Sequence, residues 1–125
     1  MNTQFKKGII ELCVLSILAE ADHYGYGIIS QLSQHIDVSE NAIYPILRRL
    51  TKDAYFTTYL KESPEGPPRK YYRMTKKGFQ YYLNLRGEWD EFIGGVYHII
   101  HKGGKNIDQI SRRFTETFTK TKNES

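Results

Sequence analysis

Ser39–Lys52, SENAIYPILRRLTK, is the stretch on which the reading of this 125-residue chain turns. Wound as a helix, it gathers Ile43, Ile46, Leu47 and Leu50 into one narrow stripe. Asn41, Pro45, Arg48 and Lys52 fall on the opposite face, with Tyr44 and Arg49 on the flanks. Ser39 is placed to cap the start, because a serine oxygen satisfies a free amide in the first turn. The outward groups are an amide, a phenol and guanidiniums, the types that hydrogen-bond to base edges and phosphates in a major groove. An ordinary amphipathic surface helix with a solvated basic face has the same pattern, so the flanking sequence must arbitrate.

Charge is distributed unevenly around this stretch. The net charge is +4, but residues 1–38 carry two basic and four acidic side chains, and residues 39–77 carry nine and four. Residues 78–125 carry seven and six. The excess therefore belongs to the segment holding the candidate reading helix, as a nucleic-acid footprint would require. Apolar content of 39% and charged content of 26% suit a folded domain. No apolar run reaches membrane-spanning length and no signal-peptide pattern opens the chain, so the expected compartment is the cytoplasm. The single cysteine, Cys13, lies in the apolar run LCVLSILA, reads as packing and excludes an intramolecular disulfide.

Upstream, residues 5–21 form a first helix with almost no polar face, which implies cover on several sides, a second subunit included. A second helix over Tyr26–His35 turns Ile28, Ile29 and Leu32 inward, and Ile36–Ser39 joins it to the third. Two short helices joined this tightly fit a helix-turn-helix whose second helix enters the groove. Pro45 costs up to ~3 kcal/mol inside a helix, less if the helix begins at Asn41. Downstream, Tyr55–Lys61 reads as a strand, Ser63–Pro68 as a turn and Arg69–Met74 as a returning strand. This basic hairpin is a wing, with Arg69 and Lys70 expected at its tip and on phosphates. Glu62 and Glu65 at the same tip oppose that role.

Thr75 caps a long helix running to about Lys102. Tyr82, Leu85, Trp89, Phe92, Val96 and Ile99 recur at alternating spacings of three and four, the pattern of a coiled-coil seam. Phe79, Leu83, Ile93, Tyr97 and Ile100 form a second stripe, so two partners are expected: the chain's first helix and another subunit. Gly87, Gly94 and Gly95 lower the helix's stability by up to ~1 kcal/mol each and mark either close approach or a kink. Gly103-Gly104 ends it, and Ile107, Ile110, Phe114 and Phe118 suggest one or two further amphipathic turns.

Three blocks in this order resemble the PadR family of bacterial transcriptional regulators. They are Tyr24-Gly25-Tyr26-Gly27-Ile28-Ile29, Ala42-Ile43-Tyr44-Pro45-Ile46-Leu47-Arg48-Arg49-Leu50, and Arg69-Lys70-Tyr71-Tyr72-Arg73-Met74-Thr75 followed by Gly78. The resemblance implies a mainly α fold with a small β-hairpin: a winged helix-turn-helix over residues 1–77, and a long C-terminal dimerisation helix and tail over 78–125. It implies a homodimeric repressor and a tolerated Pro45. In some members an aromatic or multidrug ligand binds between subunits beside a tryptophan of the long helix, and Trp89 aligns there, so relief of repression by an aromatic or hydrophobic small molecule is expected. Phe92, Ile9, Ile10 and Cys13 are then candidates to line such a site for a planar aromatic compound. The acidic wing tip and the Phe114/Phe118 extension depart from the family pattern.

The candidate DNA contacts are Tyr24, Ser39, Asn41, Tyr44, Arg48, Arg49, Lys52, Arg69 and Lys70, and the expected site is a palindromic operator in double-stranded DNA. Rival classes fare worse. His98 and His101 form an i,i+3 pair without a third metal ligand, and no nucleophile–base set, nucleotide fingerprint or cofactor motif points to an enzyme. RNA binding is disfavoured because the aromatics look dispersed rather than gathered into a stacking platform. A winged-helix protein-interaction module without DNA or ligand binding is the alternative that remains, and it predicts salt-insensitive binding.

Overall fold

The computed structural model describes the backbone of residues 3–102 and 106–124, and the side chains of residues 6–102 and 106–115. The chain runs α1 (Thr3–Glu20), β1 (His23–Tyr24), α2 (Gly25–Ser33), α3 (Glu40–Lys52), β2 (Phe56–Ser63), β3 (Gly66–Met74), α4 (Lys76–Ile100) and α5 (Ile107–Glu124). Two compact units divide at Gly87, Met1–Gly87 and Glu88–Ser125.

The core of the first unit follows from the apolar stripes. Ile43, Ile46, Leu47 and Leu50 of α3 are all buried, joined by Val14, Leu15 and Leu18 of α1, Ile28, Ile29 and Leu32 of α2, and Phe56, Tyr72 and Tyr82. At roughly 1.5–3 kcal/mol per buried side chain, this stripe holds α3 in place far more firmly than its propensity would. The helix begins at Glu40, so Pro45 lies within it rather than in its first turn. The missing proline N–H leaves the Asn41 carbonyl without its helical donor, on the exposed side where water can replace it. Ser39 occupies the N-cap position, yet its hydroxyl caps nothing: its carbonyl accepts from Ala42 and Ile43 (3.1 and 3.3 Å), and Glu40 supplies the negative charge favoured at that end.

Several boundaries differ from expectation. α2 starts at Gly25 and ends at Ser33, where the Leu32 carbonyl accepts from both His35 and Ile36 (3.0 and 2.8 Å), so the connection to α3 spans residues 34–39. His23–Tyr24 is a short strand, β1, which makes the sheet three-stranded and antiparallel in the order β1-β3-β2. Two residues give too short a run for alternation to register. The wing turn is only Pro64-Glu65, with Ser63 opposite Gly66. β1 pairs only with Tyr71 and Tyr72, so the far end of β3 has one free edge where a missing N–H costs nothing, which suits one of the consecutive Pro67 and Pro68; the other falls where the ladder to β2 is interrupted. Register slips between Lys61 and Ser63, opposite the prolines.

The end of α3 is locked to the start of α4. Tyr55 N–H donates to Leu50 O (2.9 Å) and Ala54 N–H to Thr51 O (3.0 Å), a Schellman pair with Ala54 in the left-handed position at φ 65°. Thr75 caps α4 as expected, accepting from Gly78 N–H at 3.0 Å, and its hydroxyl donates to Ala54 O at 2.7 Å. Gly78 is backed by the Tyr55 carbonyl so closely that a Cβ would overlap it.

Along α4 the seam is covered unevenly. Tyr82 is buried, Leu85, Trp89 and Val96 are half-buried, and Phe92 and Ile99 are exposed at 58% and 75%. In the second stripe Ile93 is half-buried, whereas Phe79, Leu83, Tyr97 and Ile100 are exposed. The helix runs unbroken through Gly87, Gly94 and Gly95, where an added Cβ would meet nothing within 4 Å. Gly103-Gly104 lies outside the described residues. Beyond it, α5 is an 18-residue helix rather than one or two turns, with Ile107, Ile110 and Phe114 exposed; the Phe118 side chain lies outside the described set. Asn106 caps the start of α5, its side chain accepting from Gln109 N–H at 2.9 Å. Among the described residues no helix is long and apolar enough to cross a membrane.

Candidate nucleic-acid interface

With its apolar stripe buried, α3 has no rotational freedom, and its polar side is presented outward. Asn41, Tyr44, Pro45, Arg48 and Lys52 are all exposed. Among the described residues neither Arg48 nor Lys52 has a salt-bridge partner, which leaves their charges available to an external anion.

The wing meets this helix at a recess of about 240 Å3 lined by Tyr24, Gly25, Tyr26, Tyr44, Arg69, Lys70 and Tyr72. Sequence positions far apart, from the head of α2, the front of α3 and the third strand, thus converge on one concave surface. Tyr44 reaches it by passing over Gly25: a Cβ there would sit 2.9 Å from the Tyr44 ring. Arg69 and Lys70 are not at the wing tip but three and four residues inside β3, opposite Lys61 and Leu60. The two-residue turn shortens the tip and draws them back toward α2. The Arg69 guanidinium lies 4.5 Å from the centre of the Tyr24 ring, and the Lys70 ammonium 5.6 Å from that of Tyr72. Such cation–π seats orient a charge without neutralising it. Burial raises the Tyr72 hydroxyl's pKa above its usual value, with nearby Tyr44 adding to the rise, so it stays protonated and able to donate.

The outer face of the sheet carries a row that the sequence had seemed to disperse. Tyr24, Tyr71 and Tyr59 pair across β1, β3 and β2, with ring centres 5.5 and 5.6 Å apart. Lys61 lies over Tyr71 and Arg73 over Tyr59, so cations cover ring faces on which a base would otherwise stack. Asp22 closes one end of the row, accepting from the Tyr59 hydroxyl (2.8 Å) and Arg73 Nε (3.0 Å). Lys61 was absent from the residues expected at the interface. Strand alternation puts it on the face of Tyr59, but its place opposite Arg69 depends on the two-residue turn and the register slip.

Arg49, on the flank of α3, is engaged inside the protein: its Nη2 lies 2.9 Å from Glu11 Oε1 on α1, and that bond raises its pKa further. The same oxygen accepts from the Tyr81 hydroxyl at 2.9 Å. Burial, then this hydrogen bond, push Tyr81 up to about 12. Nothing in the spacing of Glu11, Arg49 and Tyr81 signals this contact.

The residues proposed from sequence to line a ligand site fall in both units. Ile10 is buried, and Ile9 and Cys13 are half-buried, all on α1 of the first. Trp89 and Phe92 belong to the second. Cys13 is not fully enclosed: it lines a recess of about 380 Å3 with Ile17, Leu32 and Ile36, and partial burial raises its thiol pKa. His101 packs its ring against Tyr97 at 4.2 Å. Among the described residues no group of three or more metal-ligating side chains occurs.

A three-helix unit whose third helix shows a basic outer face beside a cationic β-hairpin is a winged helix-turn-helix of the DNA-binding kind. Comparison with known proteins names the family within it. The profile of the transcriptional regulator PadR-like family matches residues 14–84, and the chain belongs to that family of DNA-binding transcriptional regulators. A PadR-like transcriptional regulator from Bacillus cereus is 35% identical, covers 78% of this chain with 97% of its own, and superimposes with a TM-score of 0.71. A PadR-like transcription factor from Bacteroides fragilis is 37% identical over 78% of this chain and 95% of its own, with a TM-score of 0.66. An uncharacterised protein of Lysinibacillus sphaericus is 32% identical over 68% of this chain and 82% of its own. Regulators of this family are not enzymes.

Proposed function

We propose that this protein is a cytoplasmic, homodimeric repressor that reads a palindromic operator through α3 and is released from it by a planar aromatic compound. The observation that carries the DNA reading is the recess where Tyr24 and Tyr44 meet Arg69 and Lys70 beside the exposed Asn41, Arg48 and Lys52. In this reading Arg48 and Asn41 face base edges, with Ser39 and Tyr44 beside them. Lys52, Arg69 and Lys70 take phosphates, and Arg49 joins them when it leaves Glu11. Residues 1–77 act as the DNA-binding part, and residues 78–125 as the dimerisation helix and tail.

The dimer reading is supported by the exposed Phe92, Tyr97, Ile99 and Ile100, more apolar surface than one helix ordinarily leaves to water. Gly87, Gly94 and Gly95 of α4, with open space around them, suit close approach by a second helix. An isologous dimer would set two reading helices about 34 Å apart, one turn of DNA. Trp89, half-buried in the middle of the seam, is the candidate wall for a stacked aromatic ligand, with Phe92 one turn further along the same helix. Such a ligand weakens DNA binding only by favouring the state that binds DNA poorly.

The test is binding to the DNA upstream of the protein's own gene, titrated with salt and then with planar aromatic compounds. Steeply salt-dependent retention, lost on adding a compound that quenches Trp89, is the expected result. Salt-insensitive behaviour without retention on DNA would instead identify a protein-interaction module.

A further inference from the structure

Glu11 has no part in the DNA-facing surface, yet it holds a cation that belongs to the reading helix. Its side chain is 13% exposed, whereas that of Arg49 is 48% exposed. One carboxylate oxygen, Oε1, takes both Arg49 Nη2 and the Tyr81 hydroxyl, each at 2.9 Å. Tyr81 is itself fixed by stacking flat on Tyr55, 4.3 Å between centres at 4°. The carboxylate is therefore anchored from α4, and the half-exposed guanidinium is the member of the pair free to turn away. Arg49 stands on one flank of α3, opposite Tyr44, where a long side chain can reach either inward to α1 or outward past the helix.

We propose that Glu11 is a built-in competitor for DNA phosphate, holding Arg49 back from the duplex and setting DNA affinity below what the basic face of α3 would otherwise give. This rests on the reading of α3 as the DNA-facing helix. A carboxylate and a phosphate oxygen make the same charge-assisted bond to a guanidinium. When Arg49 moves to a phosphate, Glu11 is left largely buried with one neutral donor, and that loss offsets most of the gain. The Tyr81 hydroxyl keeps the carboxylate in place during the exchange, which makes Tyr81 and Glu11 positioning residues for Arg49. It also couples the start of α4 to α3 through a single atom.

The experiment measures binding of the full chain to a mixed-sequence duplex of about 30 base pairs across a salt series. Glu11→Gln should bind several-fold tighter near 0.1 M salt, and its slope of log K against log salt should steepen by about 0.9, one additional phosphate contact. Adding Arg49→Ala to Glu11→Gln should abolish both gains. An unchanged or weaker affinity with an unaltered slope overturns the proposal. So does a gain that persists in the double variant, since that would come from net charge alone. If thermal unfolding shows that Glu11→Gln does not fold, Glu11→Asp, whose charge is one methylene further from Arg49, must shift affinity in the same direction or the proposal fails. Wild-type protein that shows no salt-dependent DNA binding would remove the DNA reading as well, whereas normal wild-type binding with an inert Glu11→Gln removes this inference only.

Discussion

The Tyr44 ring of α3 lies across Gly25 at the head of α2, with room for a hydrogen there and not for a methyl group. The obstacle to a methyl is the far end of a flexible side chain, so Gly25→Ala should cost little stability, under about 1 kcal/mol. The ring must swing to admit it, which disturbs the recess shared with Arg69 and Lys70. Near-normal thermal unfolding with weakened DNA binding is the expected pair of results. Weakened unfolding with normal DNA binding would show that Tyr44 is a packing residue only.

Gly78 makes the opposite case. Its neighbour is the Tyr55 carbonyl, backbone that the Schellman turn and the Thr75 hydrogen bonds hold in place. Gly78→Ala should therefore destabilise by about 1–3 kcal/mol, the usual cost of overpacking. Urea denaturation would register it as a lower midpoint with an unchanged slope.

Ala54 holds the left-handed position that glycine fills at most such helix ends, at φ 65°. Ala54→Gly relieves the Cβ clash but loosens the unfolded chain, so a net gain of up to about 1 kcal/mol is expected. A rise in melting temperature measures it; a fall would mean that the alanine methyl is held by packing.

Readout and positioning should separate by substitution. Arg48→Ala should cost about 1–3 kcal/mol in operator binding and relax specificity. Lys70→Ala should weaken all sequences alike and flatten the salt slope by about one unit. Salt titrations on operator and scrambled duplexes distinguish the two, and no effect from either would place the DNA surface elsewhere.

The Tyr81 hydroxyl, pushed up to about 12 by burial and by Glu11, favours the neutral phenol in the fold. Its contribution to stability is complete below the unfolded value of about 10 and is lost as pH rises through 10 toward about 12. Denaturation curves across that window should show the wild type losing its advantage over Tyr81→Phe. A constant difference would mean that the hydroxyl is not coupled to folding.

Much of the first unit was legible because local periodicity and tertiary burial agree there. The stripe Ile43, Ile46, Leu47 and Leu50 determined by itself which side of α3 is hidden, and hence that Asn41, Arg48 and Lys52 face out. The wing, the Thr75 cap and the extent of α4 followed from turn residues and spacing that act within a few positions. Other features required the folded chain. β1 is two residues long and exists only because β3 passes beside it. The place of Lys61 and Arg69 across from one another depends on a register slip no local pattern announces. The partnership of Glu11, Arg49 and Tyr81 joins Glu11 to residues 38 and 70 positions away, and a charged side chain on a helix flank reads as solvent-facing until a second helix is packed against it. Periodicity determines which face of an element is buried. Only the packed arrangement decides which polar groups at the edges of that face find one another, because those contacts are set by crossing positions of helices rather than by the sequence of any one of them.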